Sequence, residues 1–271
     1  MVLDQEMSET VTIVTAFFDI GRSNWEGSLN GQQLPHYLKR DTQTYLDRFK
    51  RLTELKNPIV VFTESKFIDT IKSYRDDIIC VVADNIFEDN IQLLNRIAHI
   101  QRRPEFIAHL NQPTMPEYWS PHYVFINYAK SLFVNTAIKM GYVSTGTAAW
   151  LDFGYVREDT FCPAGMEWKF NTQNLINLFC FSNPDEAEPI FNIVKTNNVY
   201  VQGCHIVAPI DKWKQMANLM TRAIMNYIEV DLIDDDQSML LMSYKMSPHD
   251  FKINYVKPGY WFVIFRDFNH T

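Results

Sequence analysis

VTIVTAFF, residues 11–18, is a short run of apolar and β-branched residues that does not alternate with polar ones. A strand covered on both faces reads this way, because each side chain meets a buried surface whichever way it points. The stretch predicts a parallel strand inside an α/β sheet, and its surroundings agree. A helical pattern over 38–55 puts Tyr45, Leu46, Phe49 and Leu52 on one face. PIVVFTE (58–64) reads as a second strand, a short helix follows it, and IICVVA (78–83) reads as a third strand. IFEDNIQLLNRIAHIQ (86–101) and NYAKSLFVNTAIKMG (127–141) carry apolar residues at helical spacing, the latter closed by Gly141.

Strand–helix alternation of this kind predicts an α/β fold with a Rossmann-like, doubly wound, mostly parallel central sheet and flanking helices. The second half is less regular. Short strands are expected near 166–170, 175–181 and 199–207, then a helix over 210–227 and another opening after Asp235. Strands near 252–256 and 260–265 close the chain. No repeat, low-complexity stretch or linker interrupts it, so one domain over 11–271 is expected behind a loose polar segment, residues 1–10.

Composition narrows the function classes. With 271 residues, 46% of them hydrophobic and 14% aromatic, the chain can bury a sizeable core. Its net charge of −7 has both signs interspersed, which argues against a nucleic-acid partner. No apolar run approaches the roughly 18 residues of a transmembrane span. MVLDQEMSET lacks the pattern of a signal peptide. A cytoplasmic protein is expected, compatible with peripheral attachment at the inner membrane. The four cysteines fall singly, and Cys80 and Cys180 lie in apolar stretches as reduced core residues would.

Open α/β sheets bind ligands beyond the carboxyl ends of their strands. That rule selects TAFFDIGRSNW (15–25) and WLDFG (150–154). In the first, Thr15, Asp19 and Arg22 are polar groups at a strand end, and Gly21 permits a tight turn. Arginine matches phosphate oxygens bidentately, and the phenylalanines can stack on a base. An ordinary turn with an internal Asp19–Arg22 pair is the alternative. Neither a P-loop nor a Rossmann glycine pattern is present, which excludes a Walker ATPase and an ordinary dehydrogenase.

Asp152 ends an apolar strand, an expensive place for a carboxylate unless something compensates it. A divalent cation carrying a diphosphate would compensate it, and so would a turn whose N–H groups the acid accepts beside Gly154. VYVQGCHIVAP (199–209) is a strand pattern broken by Gly203, which marks a bulge or a close backbone approach. His205 is either a metal ligand or a structural histidine in an apolar stretch. In EVDLIDDDQSMLL (229–241) the consecutive Asp234, Asp235 and Asp236 repel one another, so one holds a raised pKa or faces a cation. Against this, Asp234 or Asp235 can cap a helix, and Asp234 with Gln237 has capping-box spacing. The aromatic-rich EYWSPHYVF (117–125) reads as a loop wall or core segment.

In this order the segments resemble the GT-A nucleotide-sugar glycosyltransferases. TAFFDIGR, WLDFGY and DDDQSML resemble, more closely, the bacterial HtrL/YibB family, and the likeness spans nearly the whole chain. The resemblance implies a GT-A-like fold and an inverting hexosyltransferase. The donor would be a UDP-sugar, with galactose or galactofuranose as the sugar. The acceptor would be a glycan or lipid-linked glycan of lipopolysaccharide O-antigen or capsule assembly. It implies that Thr15, Ala16, Phe17, Asp19 and Arg22 line the nucleotide-sugar pocket with Lys130, Asp152 and Gly154. Asp152 and His205 would hold Mn²⁺ or Mg²⁺, and Asp236 or Asp235 would be the catalytic base. Gln202, Gly203 and Gln237 would face the acceptor or donor sugar. One departure stands out: a DxD motif has two acids, and here Gly154 occupies the second position. A nucleotidyltransferase or sugar-nucleotide hydrolase, and a non-catalytic sugar-nucleotide-binding module, are the rival classes on such a sheet.

Overall fold

A computed structural model describes residues 8–29 and 31–269. The chain runs through β1 (Glu9–Phe17), a short hairpin β2–β3 (Ser28–Leu29 and Gln32–Gln33), α1 (Thr42–Leu52), β4 (Ile59–Thr63), α2 (Ile68–Tyr74) and β5 (Ile79–Val82). Then come α3 (Ile86–Asp89), α4 (Ile91–Gln101), α5 (Pro104–His109), α6 (Pro121–Lys139) and β6 (Thr147–Leu151). The second half holds β7 (Lys169–Phe170), β8 (Ile176–Cys180), α7 (Ile190–Thr196), β9 (His205–Pro209) and α8 (Trp213–Glu229). It closes with α9 (Asp236–Met246), β10 (Phe251–Tyr255) and α10 (Ile264–Asp267).

The main sheet has the order β10-β8-β9-β6-β1-β4-β5, with β7 pairing beside the start of β1. β1, β4, β5 and β6 are mutually parallel, as are β8 and β10, while β9 runs antiparallel to both of its neighbours. The fold is thus mixed α/β, with a mostly parallel central sheet and helices on both faces. The pleat of β1 shows why its sequence is apolar throughout. Val14 and Ala16 join the core under α4, α6, α8 and α9, whereas Ile13 and Phe17 join the opposite core under α1 and α2.

One buried polar side chain ties two segments of the sheet together. Asn57 is fully buried; its Nδ2 donates to the Val11 and Trp168 carbonyls at 2.8 Å each, and its Oδ1 accepts from the Trp168 N–H at 2.7 Å. These bonds stitch β1 to the segment entering β7. All four cysteines are free; Cys180 is buried and Cys80 half-buried. No helix among the described residues is long and apolar enough to cross a membrane.

Several expectations need correction. The strand expected over 199–207 is β9, which starts at His205, while Val201 makes only an isolated bridge to Cys180. Residues 260–265 form no strand; the apolar run ends in the short helix α10, with Ile264 and Phe265 buried. The 86–101 helix is broken at Asn90 into α3 and α4. α6 starts six residues before 127, at Pro121, because Ser120 caps it and proline suits the first helical position. β1 already begins at Glu9, inside the segment expected to be loose, and residues 1–7 lie outside the described ones.

Candidate functional site

The first crossover carries β1 through α1 to β4 on one side, and β6 lies on the other side of β1. The sheet therefore changes winding direction between β1 and β6, and a crevice opens beyond their carboxyl ends. A cavity of about 560 Å³ occupies this position. Because β9 is antiparallel to β6, with Leu151 opposite His205, its entry reaches the same edge. The Asp152 N–H donates to the Cys204 carbonyl at 3.0 Å, which brings Gly203 beside Asp152.

Lys130 sits at the centre of this arrangement. It projects from the middle of α6 and is 3% exposed. Its ammonium donates to Asp152 Oδ1 at 2.9 Å, to the Gly203 carbonyl at 2.9 Å, and to Asp236 Oδ2. An ammonium has three N–H donors, so all three are used. Burial disfavours its charge, yet Asp152 and Asp236 outweigh burial and raise its pKa. Asp152 also accepts from the Trp150 indole N–H at 2.9 Å. It is 40% exposed on its side chain, whereas Asp236 is 4% exposed.

Asp236 opens α9, and Asp235 caps that helix by accepting from the Gln237 N–H at 3.0 Å. The cap is therefore Asp235, and the capping-box pairing of Asp234 with Gln237 is not the arrangement found. Burial raises the Asp236 pKa, Lys130 opposes this, and Asp152 adds to it. Burial, then Asp236 and Asp234, pushes Asp235 well above the usual range. Glu117 lines the same cavity, and burial and then Asp234 raise its pKa to about 8. The side chain of Asn197, a left-handed helix end, donates to Glu117 Oε1 at 3.0 Å.

The cavity lining also carries cations. Arg22 donates twice to the Leu38 carbonyl, at 2.9 and 3.1 Å, and once to the Tyr45 hydroxyl at 2.6 Å, with its guanidinium 4.8 Å from the Trp25 ring centre. It makes no pair with Asp19, whose carboxylate accepts from the Gly21 N–H at 2.9 Å and the Thr42 hydroxyl at 3.4 Å. Arg40 and Arg157 line the same cavity. Burial, then Arg40 and Arg48, lowers the Arg157 pKa to about 10.

The structure gathers Ala16, Phe17, Asp19, Arg22, Lys130, Asp152, Gly154, Gly203, Asp235, Asp236 and Gln237 around one cavity. Phe17 stacks on Phe153 at 4.8 Å, so one face of its ring is already occupied. Three expected residues lie elsewhere. Thr15 is fully buried within β1, away from the cavity lining. Gln202 is fully buried and donates to the Tyr260 carbonyl at 2.8 Å. His205 points into the aromatic core, 4.3 Å from Phe179 and 5.5 Å from Tyr155 between ring centres, and burial lowers its pKa to about 3.

The divalent cation implied at Asp152 does not fit these donors. The two carboxylates that converge here converge on an ammonium group, and His205 is turned away. Among the described residues, no three histidine, cysteine, aspartate or glutamate side chains are grouped to hold a metal ion. Arg40, Arg157, Glu117 and Asn197 also line the cavity, outside the residues that the sequence motifs point to. The signal for Glu117 was present: an acid inside an aromatic run has to be buried or aimed at something.

Residues 9–270 match the family model HtrL_YibB, described as a bacterial protein of unknown function. The chain is also similar to Protein HtrL of Escherichia coli (strain K12), at 32% identity over 269 residues, covering 97% of this chain and 93% of that one. The chain belongs to the HtrL_YibB family.

Proposed function

We propose that this HtrL_YibB member is a glycosyltransferase with a GT-A-like fold that moves a hexose, galactose or galactofuranose, from a UDP donor to a hydroxyl of a glycan or lipid-linked glycan in lipopolysaccharide or capsule assembly. The observation that carries this reading is the polarity of the switch-point cavity. Arg22, Arg40 and Arg157 line it together with Asp236, Asp235 and Glu117. A nucleotide-sugar fits such a cavity, having an anionic diphosphate at one end and a hydroxylated ring at the other.

In the reaction the acceptor hydroxyl gives its proton to Asp236 while its oxygen bonds to the anomeric carbon. The bond to the diphosphate breaks on the opposite face, its electron pair leaves with UDP, and the configuration inverts. Asp236 suits a base because burial raises its pKa, and Lys130 fixes its orientation. Thermal shift against a panel of nucleotide-sugars tests the reading, since a ligand that binds only the folded state stabilises it. UDP-sugars should raise the melting temperature above other nucleotides, and a flat response would refute a nucleotide-sugar site. Donor hydrolysis that is indifferent to any glycan acceptor would point to a hydrolase instead.

A further inference from the structure

We infer that Lys130 is the resident cation of this site, so that donor binding is independent of divalent metal and the donor's diphosphate is neutralised by Arg22, Arg40 and Arg157. The inference rests on the nucleotide-sugar reading and specifies how that site handles charge. Lys130 bridges Asp152 and Asp236, where a divalent cation would have to sit, and its third N–H is held by the Gly203 carbonyl. Its charge is thereby spent on the protein's own acids, and none of its donors is left for a phosphate. Breaking a buried pair of this kind strands a charge in a poor dielectric, so the ammonium is not readily displaced.

Charge for the diphosphate must then come from elsewhere in the cavity, and its arginines have it to spare. Among the described residues three of the five Arg22 N–H donors are used, which leaves two. Arg40 spends one donor on the Tyr37 carbonyl at 3.2 Å. The Arg157 guanidinium lies 3.9 Å from the Phe262 ring centre and makes no hydrogen bond among the described residues. Arg48, behind them, has a buried Nη1 with no partner among those residues. Like charges gathered without matching acids repel one another, and a bound anion relieves that repulsion. Planar guanidinium groups are suited to two adjacent phosphates.

The test uses the full chain after chelator treatment and UDP as the calorimetric probe. UDP should bind with an affinity that Mn²⁺ changes by less than about threefold, and Arg157→Met should weaken it by about tenfold, in line with one lost charged hydrogen-bond contact. Mn²⁺ alone should give no binding heat with the wild type, whereas Lys130→Ala, which frees both carboxylates, should bind Mn²⁺. UDP binding seen only with Mn²⁺, or wild-type Mn²⁺ binding lost in Asp152→Asn, overturns the inference and leaves the nucleotide-sugar reading standing. Absence of UDP binding with and without Mn²⁺ overturns both. Should Lys130→Ala fail to fold, the wild-type UDP titrations still decide the matter.

Discussion

Gly203 and Asp236 approach so closely that a Cβ at position 203 would overlap the Asp236 carboxylate. The glycine in the β9 approach is therefore there for space. It lets the chain pass beside the start of α9 while its carbonyl takes the third Lys130 donor. Gly203→Ala should displace Asp236, destabilise the fold by about 1–3 kcal/mol as overpacking does, and lower UDP binding or transfer at least tenfold. Wild-type melting and activity in that variant would show that the contact is dispensable.

Asp236→Asn keeps the shape and can still accept the Lys130 hydrogen bond, but it cannot take a proton. Transfer should fall by about 10²–10⁴-fold, the usual contribution of a positioned base. UDP binding should stay within a few fold. Measuring both in one preparation separates chemistry from binding, and wild-type turnover would remove Asp236 from the mechanism.

Glu117 sets a pH dependence of stability. Its folded pKa of about 8 lies above the ordinary 4.5, because burial and Asp234 favour the protonated form. The folded state thus holds this proton more tightly than the unfolded chain, and the stability it contributes is complete below about pH 4.5. That contribution is lost as pH rises through about 8. Asp234, raised to about 6, acts in the same sense at lower pH, while His205, lowered to about 3, acts in the opposite sense below about 6.5. Between about pH 7 and 8 the melting temperature should therefore fall, and Glu117→Gln should flatten the decline. A rise over that interval in the wild type would contradict a protonated Glu117.

Asn57→Ala removes three buried hydrogen bonds and leaves the Trp168 N–H without its partner. The loss should be about 2–4 kcal/mol, given roughly 1 kcal/mol for each bond and more for an orphaned group. Urea unfolding measures it. UDP affinity should be unchanged where the variant is folded, because Asn57 lies apart from the cavity lining.

Which of these residues could be found in the sequence follows from how each reaches the site. β1 and β4 are buried on both faces, so their apolar runs were legible, and the strand-tip rule led directly to Arg22 and Asp152. Chain direction in the second half was not legible, because an apolar run looks the same parallel or antiparallel, and β9 is the reversed strand. Its pleat settles His205: Ile206 and Ala208 face one core, and His205 and Val207 the other, while the cavity lies off the strand's end. Thr15 fails for a similar reason, lying two residues short of the β1 tip. Arg40, Arg157, Glu117 and Asn197 come together only by folding, from loops and helix ends whose local patterns specify turns rather than a shared cavity.

The cavity's arginines have a consequence for turnover. In the proposed reaction, cleavage of the donor would leave UDP with more negative charge than it had as an ester, so guanidinium groups that ease its departure from carbon would also hold it afterwards. Escape of the spent nucleotide, rather than bond breaking, should then set the pace, as product release does in many enzymes. UDP should be a strong product inhibitor, and moderate added salt, by screening its attraction to Arg40 and Arg157, should speed the steady state even as it weakens donor capture.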